Sequence, residues 1–383
     1  MIDVAGQDLA EGRDPASVLF DTLGAWPGVL GRLAGGQDLM ADEAAAALAD
    51  ILAGNAAPSQ IAAFIFGLRC KGETVDEMTG LVRAMLAAAE RVVVDPVLTE
   101  HLVDTCGTGG DRSGTINVST IAALVLAGAG VPVCKHGGRA SSSRAGSADV
   151  LETLGVAIDL GPAQVRRCIQ EVGIGFCYAP RYHPAMRHAV PIRRELGVAT
   201  AFNFLGPLAN PARLRRQVVG VGDPAMATKV CGVLAANGAA HVLVVYGSDG
   251  LDELTTTGPS TIVEWIADPS QQASAGAGGG AGLAGTTTTS VIDAAELGLA
   301  RARPADLLGG DVDTNARMAL AVLGGEQGAQ RDLVVLNAAA GLVAGGVVAH
   351  LADGLLMAGA VIDDGRALSV LQRLITVSNA LTP

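Results

Sequence analysis

Beyond Arg91 the sequence alternates in a way that few architectures accept. Five short runs rich in β-branched residues, "HLVDT" (101–105), "VPVCK" (131–135), "IGFCYA" (174–179), "QVVGVG" (217–222) and "HVLVVYG" (241–247), are separated by helix-period segments such as "PAQVRRCIQEVG" and "PAMATKVCGVLAANG". Strands that each wait for a helix must be joined by crossovers, so the expectation is a largely parallel sheet in an α/β domain. In such sheets ligands bind outside the carboxyl ends of the strands, and the loops there carry the chemistry.

The residues before Arg91 read as helices. "SQIAAFIFGLRCKG" starts with Ser59 as N-cap and stops near Gly72, while Ile61, Phe64, Ile65 and Leu68 repeat on one buried face. Thr74 and Glu77 in the next segment have the spacing of a capping box. Residues 1–23 are expected to be a loosely ordered extension. "SQQASAGAGGGAGLAGTTTT" (270–289) lacks periodicity and is expected to be a flexible surface insertion. The tract from about 333 onward reads as helices closing the domain.

Composition excludes several classes. Hydrophobic residues make up 50% of the chain but aromatics only 3%, so closely packed Ala-rich helices are expected rather than aromatic cores. No apolar run reaches the ~18 residues of a membrane span, and "MIDVAGQDLAEGRD" lacks the features of a signal peptide, which makes the cytoplasm the expected location. The six cysteines (Cys70, Cys106, Cys134, Cys168, Cys177, Cys231) show no metal-ligand spacing and read as reduced, mostly buried thiols. A net charge of −12 argues against general nucleic-acid binding. Yet between Lys135 and Arg216 there are twelve Lys/Arg against five Asp/Glu, a local +7, which fits either one anionic ligand site or a solvated basic face.

Three loops address that choice. In "VDTCGTGGDRSGTINVST" (103–120) a strand runs into Gly107, Gly109, Gly110 and Gly114 before a helix starts around Asn117 to Thr120. Bare backbone and a helix start make an anion cradle, although a structural turn accounts for the same glycines. "VPVCKHGGRASSSRAGSADVLE" (131–152) ends a strand with Lys135 and His136, then offers Arg139, Ser141, Ser142, Ser143, Arg144 and Ser147. A point charge, guanidinium forks and hydroxyls suit phosphate oxygens. "YGSDGLDELTT" presents Asp252 and Glu253 side by side, as solvated acids or as magnesium ligands beside a polyphosphate.

The blocks "DTCGTGGD", "INVST", "KHGGRASSSRAGSADVLE", "RYHPAMRHAVPIRREL", "FNFLGPLANPA" and "DGLDELT", in this order and spacing, resemble the anthranilate phosphoribosyltransferases. The resemblance runs from about Gly24 to the C-terminus, apart from 270–289. It implies a small N-terminal helical domain (24–95, completed by the 183–200 helix) and a larger α/β domain (96–383) with a mainly parallel central sheet, the nucleoside phosphorylase-like phosphoribosyltransferase fold. It also implies a homodimer with an active site between the two domains, no nucleic-acid or membrane partner, and transfer of a phosphoribosyl group from phosphoribosyl pyrophosphate (PRPP) to anthranilate with Mg2+ as cofactor. On the matching positions, PRPP would be held by Gly107, Gly110, Asp111, Thr115, Asn117, Ser119, Thr120, Lys135 and Ser147, with Arg139, Ser141, Ser142 and Ser143 beside them. Ser119, Asp252 and Glu253 would hold magnesium. Anthranilate would meet Gly107, Gly138 and Arg193, with Arg193 on its carboxylate. His136, Tyr182 and His183 would line the acceptor channel or pack as core.

The residue types agree with such a reaction. Loss of pyrophosphate builds negative charge on the leaving group, which metal, Lys135 and loop N–H groups would stabilise. An aryl amine attacks without prior deprotonation, so no catalytic base or nucleophile is assigned. One departure stands out: Gly138 occupies a position where the family usually has Asn. The alternatives are another aromatic amine as acceptor, a nucleoside phosphorylase-like reaction with phosphate, or a noncatalytic nucleic-acid-binding relative.

Overall fold

The computed structural model describes residues 14–111, 113–140, 144–268, 270 and 283–382. The chain divides into two compact units, one formed by the residues up to Glu90 together with Tyr182–Ala209, the other by Arg91–Arg181 and the residues from Asn210 onward.

The smaller unit is helical. Its helices span Pro15–Thr22, Ala25–Ala34, Ala41–Ala53, Pro58–Lys71 and Val75–Ala88, and the returning segment adds Val190–Leu196 and Phe202–Leu208. The Thr74–Glu77 capping box is present: Thr74 Oγ1 accepts from the Glu77 N–H at 3.1 Å and the Glu77 carboxylate accepts from the Thr74 N–H at 2.9 Å. The preceding helix starts one residue before the expected cap. Pro58 takes its first position, where no N–H is needed, and Gln60 reaches back to the Ala57 N–H at 2.8 Å.

The loose extension expected over 1–23 is corrected where it is described. Residues 15–22 form a helix that buries Val18 and Phe20, and Phe20 packs edge-on against Trp26, which packs edge-on against Phe64. The Trp26 indole N–H donates to Asp50 at 2.8 Å, so its polar tip is satisfied while its body fills the core. Residues 1–13 lie outside the described part.

The larger unit is built on a seven-stranded sheet of order β3-β2-β1-β4-β5-β6-β7: β1 Val103–Gly107, β2 Val133–Gly137, β3 Ile174–Tyr178, β4 Arg216–Gly220, β5 His241–Gly247, β6 Pro259–Ala267 and β7 Gly285–Asp293. The five strands expected from the sequence pair in parallel. β6 and β7 add antiparallel to β5, so the insertion expected over 270–289 is corrected at its end: 285–289 belong to a paired strand, while 271–282 lie outside the described residues.

Two buried helices form the centre of this unit. Val118–Gly128 buries every residue from Val118 to Ala127 except Ser119, and Ala329–Ala344 is buried from Leu333 to its end. They approach so closely that a Cβ on Gly341 would lie 2.5 Å from a terminal carbon of Leu126, which would have to shift. The strand order reverses between β1 and β4, which makes the gap beyond their carboxyl ends the switch point of the sheet.

Candidate active site

The switch point is where the glycine-rich loop leaves the sheet. Gly107 and Gly220 are register partners on β1 and β4, and the Thr108 N–H donates to the Gly220 carbonyl at 2.9 Å. Both glycines make room for the loop that follows β5, Gly220 for its backbone and Gly107 for the Asp252 carboxylate. A Cβ on Gly107 would lie 2.3 Å from Asp252 Oδ2, and one on Gly220 1.6 Å from the Asp252 carbonyl oxygen. Gly109 and Gly110 then take left-handed φ values of 70° and 84°, turning the Gly109 N–H onto Asp252 Oδ2 at 2.7 Å.

Asp252 and Glu253 are each only 8% exposed. Burial pushes Asp252 well above the usual carboxylate range, and the negative charges of Glu253 and Asp111 push it the same way. Burial raises Glu253 to about 7 against the pull of the Lys135 charge, and Glu253 accepts hydrogen bonds from the backbone and side chain of Ser119. Lys135, 2% exposed, donates from Nζ to the Thr105 carbonyl at 2.6 Å and to Ser119 Oγ at 3.4 Å. Lys135, Ser119, Glu253 and Asp252 thus form one connected group. A hard dication would relieve the carboxylates, and an all-oxygen donor set fits magnesium. Among the described residues no three His, Cys, Asp or Glu side chains form a closed cage, and magnesium bound through waters and ligand phosphates needs none.

The acid loop is anchored from the core. Asn337, on the helix Ala329–Ala344, accepts the Leu254 N–H and donates to the Leu254 carbonyl, both at 2.9 Å. On the other side of β1, Asn210 Nδ2 donates to Asp104 Oδ2 and to the Cys134 carbonyl, each at 2.8 Å, cross-linking β1 and β2 below Lys135.

The second loop closes on Asp149, whose Oδ2 accepts the N–H groups of Ala140 at 2.9 Å and Gly146 at 3.0 Å. Ser147 Oγ donates to the Gly138 carbonyl at 3.4 Å, and a Cβ on Gly137 would lie 2.1 Å from that hydroxyl. Arg139 does not offer a free fork. It pairs with Asp149 at 2.9 Å and Glu152 at 2.7 Å and lies over the Tyr178 ring at 5.7 Å. Ser141, Ser142 and Ser143 lie outside the described residues. Among the described residues, a Cβ on Gly138 would meet only Ala179, at an ordinary 3.9 Å.

Of the other expected first-loop residues, Thr120 is buried, and Thr115 Oγ1 shares a hydrogen bond with Ser113 at 3.1 Å. Gly110 is exposed. The Asn117 amide is engaged by Ala145 and by Asn315, a residue that sequence reasoning did not single out. The only local signal was an Asn in the first turn of a helix where solvent exposure would be ordinary.

In the helical unit, Arg193 lies on Val190–Leu196 with its guanidinium 5.9 Å from the centre of the Phe202 ring. Its Nε is buried without a hydrogen-bond partner among the described residues, and burial lowers its pKa. A desolvated cation in that state favours an anion. Tyr182 is 0% exposed and serves as core; His183 is hydrogen-bonded to the Ala209 carbonyl at 3.0 Å, and burial lowers it to about 4. His136 is buried, its backbone N–H donating to Asp104 at 3.2 Å.

Two family models match the chain: "Glycosyl transferase family, helical bundle domain" over residues 27–89 and "Glycosyl transferase family, a/b domain" over 99–368. The anthranilate phosphoribosyltransferase of Salinispora arenicola is 48% identical over 94% of this chain and 98% of its own length. The solved anthranilate phosphoribosyltransferase of Thermus thermophilus superposes with a TM-score of 0.82 at 38% identity, covering 92% of this chain and 99% of its own. That of Saccharomyces cerevisiae, solved in complex with PRPP and Mg, gives 0.80 at 25% identity over 93% of this chain and 98% of its own. The chain belongs to the anthranilate phosphoribosyltransferase family.

Proposed function

We propose that this protein transfers the phosphoribosyl group of PRPP to the amine of anthranilate, giving N-(5-phosphoribosyl)anthranilate and pyrophosphate in tryptophan biosynthesis. The observation that carries this is the connected group Lys135–Ser119–Glu253–Asp252 beside the glycine-rich loop at the switch point. Gly107, Gly110, Asp111, Thr115, Asn117, Ser119, Thr120, Lys135 and Ser147 take the phosphates and ribose of PRPP. Arg139, whose guanidinium is paired with Asp149 and Glu152, stands beside them, and Ser141, Ser142 and Ser143 are assigned to the same ligand.

Asp252 and Glu253, with Ser119, would hold magnesium, which supplies positive charge to the leaving pyrophosphate when bound. Lys135 orients the pyrophosphate and neutralises part of its charge. Arg193 takes the anthranilate carboxylate. The amine nitrogen forms the new bond to the anomeric carbon as the carbon–oxygen bond to pyrophosphate breaks, and the amine proton leaves to solvent. Catalysis is by positioning and leaving-group stabilisation, with no side-chain nucleophile. The enzyme acts as a homodimer in the cytoplasm; among the described residues no helix is long and apolar enough to cross a membrane.

The test is a reaction with PRPP, Mg2+ and anthranilate, followed by product fluorescence and pyrophosphate release. The expected result is stoichiometric release that Asp252→Asn with Glu253→Gln abolishes while the protein stays folded. Turnover of a nucleoside with phosphate instead would overturn the assignment. The open space at Gly138 favours one second reading, a ring-substituted anthranilate as the preferred acceptor, which an acceptor series in the same assay would rank.

A further inference from the structure

Asparagine is among the best N-cap residues because its side chain usually accepts an N–H from the first turn of its own helix. Asn117 stands at the N-cap of Val118–Gly128 and makes no such bond. Its amide is held elsewhere: Nδ2 donates to the Ala145 carbonyl at 3.0 Å, and Oδ1 accepts from Asn315 Nδ2 at 2.9 Å. Asn315 is 4% exposed, and its own Oδ1 accepts the Gly310 N–H at 2.7 Å. A backbone N–H needs an acceptor, so Gly310 fixes which end of the Asn315 amide faces it. The donor end then faces Asn117, which in turn fixes the donor end of Asn117 toward Ala145.

The chain of amides is braced by backbone. Thr115 bridges to Leu308, the Ile116 N–H donates to the Leu307 carbonyl at 3.3 Å, and the Gly309 N–H donates to the Gly114 carbonyl at 2.8 Å. A Cβ on Gly309 would lie 2.4 Å from Asn315 Oδ1, so the side chain and the 309–310 turn are fitted together. Asn315 therefore links three segments far apart in sequence: the glycine-rich loop, the end of the second loop at Ala145 and the start of the helix Val312–Leu323.

We propose that Asn315 is a positioning residue for PRPP. It holds the Asn117 amide away from the helix start, which keeps the glycine-rich loop in register and leaves the Ser119 N–H to Glu253. Without that hold, the link from the glycine-rich loop through Asn117 to Ala145 is lost and the loop leaves this register. The inference rests on the assignment of this loop to PRPP given above.

The test uses Asn315→Asp in the full-length protein. Aspartate still accepts the Gly310 N–H but places an acceptor against Asn117 Oδ1. One lost hydrogen bond of this kind corresponds to about a five- to tenfold effect. The KM for PRPP is expected to rise by about that factor, with kcat and the anthranilate KM changed less than about twofold. Asn117→Ala should raise the PRPP KM similarly, and the double variant should be no worse than Asn117→Ala alone, since the two act as one unit. A fall in kcat at unchanged PRPP KM, or additive effects in the double variant, overturns the proposal. Should Asn315→Asp fail to fold, an unchanged PRPP KM in Asn117→Ala overturns it equally. A wild-type protein without PRPP-dependent product would instead sink the reaction assigned above, so the two failures are distinguishable.

Discussion

Gly107 and Asp252 are in contact without room for a single added carbon: a Cβ on Gly107 would lie 2.3 Å from Asp252 Oδ2. The end of β1 and the acid loop after β5 are therefore one mechanical unit. Gly107→Ala is expected to push the carboxylate aside at a cost of about 1–3 kcal/mol in stability. It should also raise the magnesium concentration for half-maximal activity by at least about tenfold, on the order of one displaced charge-assisted contact. A magnesium titration with an unchanged midpoint would show that Asp252 does not need this placement.

Lys135 joins Thr105 to Ser119 beneath the proposed phosphates. Lys135→Ala should lower kcat/KM for PRPP by about one to two orders of magnitude, the value of a hydrogen bond to a charged group. Steady-state kinetics with each substrate varied would check it. A response confined to anthranilate would remove Lys135 from the PRPP site.

Arg193 carries a buried Nε with no partner among the described residues. If it takes the acceptor carboxylate, Arg193→Ala should lower kcat/KM for anthranilate by about tenfold to a hundredfold and leave aniline nearly unaffected. Equal losses for both acceptors would refute the assignment. Gly138→Asn, for which the backbone leaves space, should improve anthranilate and penalise bulkier ring-substituted analogues; an unaltered ranking would make that position neutral.

His183 offers a pH test within the helical unit. Burial lowers its pKa from the ordinary 6.5 to about 4, so the folded protein binds this proton less readily than the unfolded chain. The folded state thus keeps its full advantage above pH 6.5 and loses it as pH falls from 6.5 through about 4. That shift corresponds to about 3 kcal/mol at most. In thermal unfolding followed across this range, His183→Gln should show a shallower acid decline than the wild type. Parallel profiles would mean that another group sets the acid limit.

Much of the α/β unit was legible because its signal is local. Each of β1 to β5 is a short run of β-branched residues beside a helix-period segment, and all five appear as strands. β7 was not legible, since Gly285 to Val291 are exposed and mostly threonine, with no apolar alternation to betray a strand whose order comes from pairing with β6. The helix Pro15–Thr22 escaped for a different reason: its order depends on Phe20 meeting Trp26 and Phe64, a contact between segments. The same division holds at the site. Gly107, Lys135, Asp252 and Glu253 stood in recognisable blocks, and the structure brings them together. The pairing of Arg139 with Asp149 and Glu152 depends on how the second loop folds back. The bond from Asn315 to Asn117 spans 198 positions and had no sequence signature.

The double hydrogen bond between Asn337 and Leu254 ties an irregular loop to a helix that is buried along most of its length. The Leu254 amide proton therefore has no route to solvent by local fraying, although it belongs to no helix or strand. Deuterium exchange at this amide is expected to be slow, like that of the core strands, because it is protected by a bond to the buried helix. The acid pair is consequently carried next to a residue bound twice to the buried central helix, so its geometry is tied to the integrity of that helix.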